Sequence, residues 1–339
     1  MDPKVNPIDV DFIPAQSRAD YHRRSLLGLW RRAIRHPGTR DQFPAGIEQP
    51  TLANIKLAWA TVGVSDIYDH FEHLHSSVRP ETGRPCPGSD MIIVGGGSRK
   101  RRTLIGTHEE MLYNACFDGK AYYLSGITSD DRVLVLGSIG TYHAEYCNFY
   151  ALSRAACTII PIQDYKRARE IADIMGELRA TAILGPLSAL LPLLSYLELR
   201  DLTYAGIRRI IKGGEPLSWQ LRSRLVQRFG EDLSFHSVFQ TPDHGAIGFQ
   251  CSSCGPGEYH LHEGLVYAEL SSMNDAGTTE LVISNLHRSR MPVVRLRTGD
   301  RAEWADPDGT CSCGLTSRKI RILERTSDLS HAQGGDCLP

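Results

Sequence analysis

Between residues 91 and 232 the sequence alternates between short apolar runs and amphipathic helical patterns, and after about residue 233 the helical patterns stop. The strand-like runs are Met91–Val94, Val133–Leu136, Thr158–Ile162, Ala182–Leu184 and Ile207–Ile211. Helical spacing lies between them at 107–125, 143–156, 165–178, 187–197 and 217–229, where Leu221, Leu225 and Phe229 share one face. Such alternation predicts an α/β fold, a mostly parallel sheet with helices packed on it. Short strands punctuated by turns are then expected at 234–239, 246–251, 258–262, 265–271, 278–285, 293–297 and 300–305, which makes the second half a β-rich subdomain. The reading divides the chain at 1–90 (helical, then irregular), 91–232 (α/β), 233–325 (β-rich) and 326–339 (a terminal remnant). A basic amphipathic helix is expected at 18–35, packed through Leu26, Leu27, Leu29, Trp30 and Ile34; a membrane-surface helix is the competing reading.

Charge and cysteine content narrow the function classes. Thirty-eight basic residues against 39 acidic ones leave a formal charge of −1, which argues against a polyanion as partner for the whole surface. The longest uncharged stretch, 180–197, holds Gly185, Pro186 and Pro192 and reads as strand, turn and short helix rather than a membrane span. The start, Met1-Asp2-Pro3-Lys4, lacks a charged-then-apolar run, and nine cysteines without one favour reduced thiols and a cytoplasmic setting.

Four constellations can carry chemistry. Gly95-Gly96-Gly97-Ser98-Arg99-Lys100-Arg101-Arg102-Thr103 follows a predicted strand; glycines allow close backbone approach to an anion, and hydroxyls and cations complement phosphate. Its spacing is not that of a Walker A loop, and a solvated surface loop or a basic patch competes with phosphate binding. Gly213-Gly214-Glu215-Pro216 joins a strand to a helix that opens at Ser218; it reads as a β–α turn with an N-cap, at the sheet edge where ligands bind. In Arg297-Thr298-Gly299-Asp300 the aspartate could accept two hydrogen bonds from a ribose diol or simply end a turn. Cys251 and Cys254, with Cys311 and Cys313, form two close thiol pairs, with His260 between them; together they can supply a closed tetrahedral Zn²⁺ site of structural type.

The order of these motifs resembles the adenylate-forming superfamily, in particular its phenylacetate–CoA-ligase-like branch. The glycine-rich loop at 95–103 stands in the place of the family's phosphate loop, and Gly213-Gly214-Glu215-Pro216 is similar to its adenine-contacting segment. Phe239-Gln240-Thr241-Pro242-Asp243 stands where the family has Tyr-Gly-x-Thr/Ser-Glu. Arg297-Thr298-Gly299-Asp300 matches the ribose-binding Arg-Thr-Gly-Asp, and Glu324-Arg325-Thr326-Ser327-Asp328 resembles the hinge. The paired cysteines are similar to those of zinc-bearing members of the branch.

The resemblance implies the large N-terminal body of an adenylate-forming ligase that uses ATP and Mg²⁺. Gly95, Gly96, Gly97, Ser98 and Thr103 would line the phosphates, with Lys100 or Arg101 as counter-charge. Gly213, Gly214, Glu215 and Pro216 would border adenine, with Phe239 stacked on it and Gln240 beside it. Asp243 would hold Mg²⁺, and Asp300 with Arg325 would bind the ribose hydroxyls. A small, aromatic carboxylic acid would lie between Tyr142-His143 and the strand ending at Gly213, close to Phe239. Its acyl group would pass to CoA, to a reductive step or to an acyl-accepting protein, in a secondary-metabolite setting; a homodimer is compatible with the reading. Lys100 and Arg102 depart from the family's phosphate loop, Asp243 is one methylene shorter than its glutamate, and Pro242 fills its hydroxyl position. The family's small C-terminal domain, with its adenylation lysine, is expected to be absent from a chain that ends at Pro339. Two alternatives stay open: a degenerate nucleotide- or acyl-adenylate-binding module without catalysis, and acyl transfer to a cysteine such as Cys337. A zinc-stabilised nucleic-acid binder using Arg99–Arg102 is disfavoured by the near-zero charge.

Overall fold

The computed structural model describes residues 6–35, 90–95, 102–137, 143–213, 217–271, 279–305 and 311–325. The irregular segment expected at 36–90 falls almost wholly outside these residues, as does the terminal remnant 326–339. The chain divides into two compact units.

One unit comprises Ile93–Gly95 and Met111–Cys254. Its sheet is built from β3 (Arg132–Leu136), β4 (Thr158–Ile162), β5 (Ala182–Leu184), β6 (Arg209–Gly213), β7 (Ser234–Thr241) and β8 (Gly245–Phe249). The spatial order is β8-β7-β6-β5-β3-β4; all neighbours run parallel except β7 and β8. The helices that link or flank these strands are α2 (His108–Leu124), α3 (His143–Arg154), α4 (Ala168–Glu177), α5 (Leu187–Leu199) and α6 (Trp219–Phe229). The central strands β3 and β5 carry unbroken apolar runs, Val133–Leu136 and Ala182–Leu184, and are buried along them, as strands covered on both faces are. Leu134, Leu136, Ile160, Ile183 and Ile210 pack with Ile171 and Met175 of α4, Leu190, Leu193, Leu194 and Leu197 of α5, and Leu225 and Phe229 of α6. Ser218 caps α6 by accepting the Leu221 N–H at 3.3 Å, and Gly230 at φ +106° ends it.

The other unit comprises Met1–Ile92, Gly96–Glu110 and Gly255–Pro339. Its antiparallel sheet has the order β10-β11-β12-β13-β9. The strands are β9 (Glu258–Leu261), β10 (Val266–Leu270), β11 (Glu280–Asn285), β12 (Leu296–Trp304) and β13 (Lys319–Arg325). Helix α1 (Ala15–Ala33) lays Tyr21, Leu26, Leu29, Trp30 and Ala33 against Leu286 and Val294. The basic amphipathic helix is thus a packed one, and among the described residues no helix is long and apolar enough to cross a membrane.

The strand–helix alternation is borne out, with three differences. The strands expected at 293–297 and 300–305 are one strand, β12, because Gly299 at φ +80° carries the chain through what reads as a Thr-Gly turn. A strand occupies Arg102–Thr107 (β2) and pairs with β1 (Asp90–Gly95), so the segment after the glycine-rich loop is extended before α2 begins. β13 has no counterpart in the sequence reading, since its alternation of Lys319, Arg321 and Leu323 hides the buried Ile320.

Candidate functional site

In the parallel unit, β6 ends at Gly213 beside Val238 of β7, at the carboxyl edge of the parallel strands where α/β sheets receive ligands. Phe239 and Gln240 follow Val238 directly, and the β7–β8 register shifts between them. Lys212, one residue before Gly213, is buried and donates from Nζ to Ser237 Oγ at 3.2 Å. Asp243 sits in the tight β7–β8 turn, 5% exposed. The turn closes through the His244 N–H, which donates to the Thr241 carbonyl and hydroxyl oxygens, each at 3.3 Å. Gly245, at φ +93°, must be glycine, because a Cβ there would collide with Asn114 Oδ1.

Behind this edge lies a polar stripe on α2 that the sequence reading passed over. Asn114, Asp118 and Tyr122, each four residues apart, lie among the apolar residues of the helix's buried face. Gln240 Nε2 donates to Asp118 Oδ1 at 2.7 Å, and the Tyr122 hydroxyl donates to Asn148 Oδ1 of α3 at 2.5 Å. Burial pushes the Asp118 carboxyl up to about 7, against the hydrogen bond from Gln240.

At the opposite ends of the strands, Asp131 is a structural hub. It accepts from the Thr181 hydroxyl at 2.7 Å and the Thr128 N–H at 2.9 Å, with Arg208 and Arg209 at 3.1 and 3.3 Å. Burial raises its carboxyl, but these hydrogen bonds and cations outweigh it and hold the carboxyl below its ordinary range.

In the antiparallel unit, Asp300 is 4% exposed on β12, and Arg325 of β13 lies directly opposite in the ladder. Glu280 of β11 shapes the approach to it: its carboxylate takes Arg297 Nε at 2.7 Å and the Gly299 N–H at 2.9 Å. Thr298 Oγ1 accepts from the Asp300 N–H at 3.1 Å and donates to the Leu281 carbonyl at 3.2 Å. The Arg-Thr-Gly-Asp segment is therefore fastened at each residue before the aspartate, by Glu280 among others, a carboxylate that the sequence reading did not single out.

The cysteine pairs form two knuckles. Cys251 and Cys254 bring their Sγ atoms to 3.6 Å, and Ser253 N–H points at Cys251 Sγ at 3.3 Å. In the antiparallel unit the Gly314 N–H returns to the Cys311 carbonyl at 2.9 Å, with Gly314 at φ +86°. There the ligand atoms of His260, Cys311 and Cys313 lie within 4.8 Å of one another. His260 Nε2 is 3.5 Å from Cys313 Sγ, and its Nδ1 is held by Ser317 Oγ at 3.1 Å, the arrangement that orients a metal-ligating imidazole.

The same loop is tied to the N-terminal segment. Thr316 and Ser317 N–H groups donate to the Asp11 carbonyl at 3.0 and 3.2 Å, and Arg18 donates to the Thr316 carbonyl at 2.7 Å. Arg18 and Arg318 both pair with the fully buried Glu263, and the Glu263 N–H donates to Asp11 Oδ1 at 2.8 Å.

Of the residues singled out from sequence, Gly213, Phe239, Gln240 and Asp243 gather at one edge of the parallel unit. Asp300 and Arg325 are register partners in the β12–β13 ladder of the antiparallel unit, and His260, Cys311 and Cys313 come together in the same unit. Gly95 ends β1, Thr103 lies in β2 and His143 opens α3. Gly96, Gly97, Ser98, Lys100, Arg101, Tyr142, Gly214, Glu215 and Pro216 lie outside the described residues.

No protein-family model matches the chain. It is similar to a phenylacetate–coenzyme A ligase from Aromatoleum evansii, at 21% identity over 257 residues. The match takes in 73% of this chain and 57% of that relative's length. Among solved structures, an open conformation of 2-hydroxyisobutyryl-CoA ligase in complex with 2-HIB-AMP and CoA superposes with a TM-score of 0.79 at 15% identity. That superposition covers 96% of this chain and 79% of the other. The same enzyme's postadenylation state gives a TM-score of 0.80 at 16% identity, over 97% and 72% of the two chains. A long-chain-fatty-acid-CoA ligase from Archaeoglobus fulgidus gives 0.51 at 14% identity, over 71% of this chain and 52% of that one. The chain has the fold of the adenylate-forming CoA ligases, and the resemblance read from its motif order is borne out.

Proposed function

We propose that this chain activates a small carboxylic acid with ATP, forming an acyl-adenylate and pyrophosphate. The observation that carries the reading is Asp300, fastened through Thr298, Gly299 and Glu280 and set opposite Arg325. A buried carboxylate so held is preorganised to accept both hydroxyls of a ribose. In the reaction a carboxylate oxygen of the acid bonds to the α-phosphorus of ATP, and the bond from that phosphorus to the bridging oxygen breaks, releasing pyrophosphate. The protein positions the reactants and neutralises phosphate charge. Gly95, Gly96, Gly97, Ser98 and Thr103, with Lys100 or Arg101, would receive the β- and γ-phosphates. Gly213, Gly214, Glu215, Pro216, Phe239 and Gln240 would border the adenine. Asp243 has the carboxylate chemistry to hold Mg²⁺, which supplies charge neutralisation at the phosphates when bound.

The acid is proposed to be aromatic, seated between Tyr142-His143 and the end of β6, with CoA as acceptor and a secondary-metabolite pathway as setting. The similarity to a phenylacetate–coenzyme A ligase supports the aromatic acid and the CoA acceptor. A structural Zn²⁺ is proposed in the antiparallel unit at His260, Cys311 and Cys313, whose ligand atoms lie together. Thiolate and imidazole donors suit zinc, and a structural ion held by them supplies folding stability.

The test is ATP binding by calorimetry together with acid-dependent exchange of labelled pyrophosphate into ATP across a panel of aryl acids. Asp300→Ala should abolish both. Exchange absent in the unsubstituted protein while ATP still binds would favour the non-catalytic binding module, and unchanged affinity in Asp300→Ala would sink the ribose assignment.

A further inference from the structure

We propose that Asp118 and Gln240 form a polar floor to the acyl-binding pocket and select a carboxylic acid that carries a hydroxyl group remote from its carboxylate. The inference rests on the adenylation reading for the pocket's place beside Phe239, and deepens it by naming the substrate class.

Three observations support it. Asp118 is 1% exposed, and its Oδ2 has no hydrogen-bond partner among the described residues, while Oδ1 is taken by Gln240 at 2.7 Å. A buried carboxyl oxygen left without a partner costs stability, and a ligand that supplies the missing hydrogen bond recovers it. Second, the cluster is not sealed: it runs from the fully buried Asp118 and Tyr122 to Gln240 and Asn148, which are half-buried. Third, the β7–β8 register breaks between Phe239 and Gln240. Bulges at such positions re-aim side chains next to active sites, and here the bulge places an amide immediately after the proposed stacking aromatic.

The chemistry favours a neutral hydroxyl. Burial pushes Asp118 up to about 7, so near neutrality the carboxyl group and the Gln240 amide can together both donate and accept. A hydroxyl does the same, whereas an unsubstituted ring would leave Asp118 Oδ2 unanswered. Gln240, whose backbone borders the adenine in the adenylation reading, turns its side-chain amide to Asp118 Oδ1, so the ligand hydroxyl would meet Asp118 Oδ2 with the Gln240 amide beside it.

The experiment uses the full chain and two non-hydrolysable probes: acyl-sulfamoyl adenosines of benzoic acid and of ring-hydroxylated benzoic acids. Binding is measured by calorimetry, with AMP as the control ligand. The unsubstituted protein should bind at least one hydroxylated probe about 10-fold or more tightly than the plain one. Asp118→Leu should remove that ratio, and Asp118→Asn, which keeps the shape and a donor–acceptor pair, should retain it. A structural role alone would lower the melting temperature of both variants and leave the ratio unmoved. Equal affinities for all probes, or a ratio that survives in Asp118→Leu, overturns the inference while leaving the adenylation reading intact. Preference for an ammonium-bearing ring over every hydroxylated one also overturns it. Failure to bind AMP and every probe overturns the adenylation reading, and this inference with it.

Discussion

The parallel unit is covered by leucine-rich helices and keeps the charges of its Asp131 hub to one end of its strands. In the antiparallel unit the described residues give an apolar contact between α1 and the sheet, and charge buried around Asp11, Arg18, Glu263 and Arg318. The difference follows from topology. Helical crossovers bring their own apolar faces to a parallel sheet, so its core is made as the chain winds. In the antiparallel unit, whose described residues place α1 on the sheet, a buried ionic network adds cohesion and clasps the N-terminal segment to the cysteine-bearing loop. The parallel unit should therefore answer to lost volume, and the antiparallel unit to pH, charge removal and chelation.

The largest expected effect is metal removal. If Zn²⁺ binds at His260, Cys311 and Cys313, a strong chelator or Cys313→Ser removes a binding energy on the order of 10 kcal/mol from the folded antiparallel unit. Hydrogen exchange should show lost protection in β9, β13 and α1, with α4 and α5 still protected. Protein that carries no zinc by elemental analysis, or that loses protection first in α4 and α5, would break the contrast.

Next in size is the ionic network. Glu263 is fully buried and pairs with the buried Arg18 and the partly exposed Arg318, so Glu263→Gln leaves both cations without their carboxylate. Breaking a buried pair in this way costs about 3–5 kcal/mol, to be read from denaturant midpoints of the purified variant. A loss under 1 kcal/mol would mean that the network is dispensable.

Acid should also weaken the antiparallel unit. Burial lowers the His287 imidazole to about 4, against the backbone hydrogen bond to Gly264, and burial likewise lowers His22. A folded-state pKa below the unfolded one means that the unfolded chain binds protons first. Stability is then complete above about pH 6.5 and falls as pH drops toward 4, by on the order of 2 kcal/mol at pH 5 for His287 alone. His287→Gln should shrink the melting-temperature loss between pH 7 and pH 5; an equal loss in the variant would exclude this group as its source.

The same contrast explains what could be read without the structure. Helices such as Ala168–Glu177 and buried runs such as Arg132–Leu136 were legible because a parallel sheet writes its packing locally, in apolar periodicity. β13 was not, since Arg321 takes its meaning from ion pairs with Glu258 and Glu303 on other strands. The site shows the same split. Asp300 and Gly213 were found because a short motif frames each, whereas Asp118 and Glu280 are single carboxylates whose meaning depends on partners 122 and 19 residues away, Gln240 and Gly299.

The smallest expected effect probes the parallel unit with the perturbation that should matter least there. Arg224 of α6 and Glu198 of α5 form a two-pronged pair at 2.8 and 2.7 Å, the best-formed ion pair between two helices of that unit's surface. Both side chains remain substantially exposed, at 43% and 29%, so water and salt screen the attraction and ordering two long side chains offsets part of it. The hydrogen bond from Arg224 holds Glu198 below its ordinary range, but at such exposure little of that becomes stability. Arg224→Ala should cost about 0.5 kcal/mol and no more than about 1, shrinking further in 0.5 M salt. The helices it links are already joined through the apolar side chains of Leu194, Leu197 and Leu225. A loss comparable to that of Glu263→Gln would show that the parallel unit also depends on charge, and the contrast between the two units would fall.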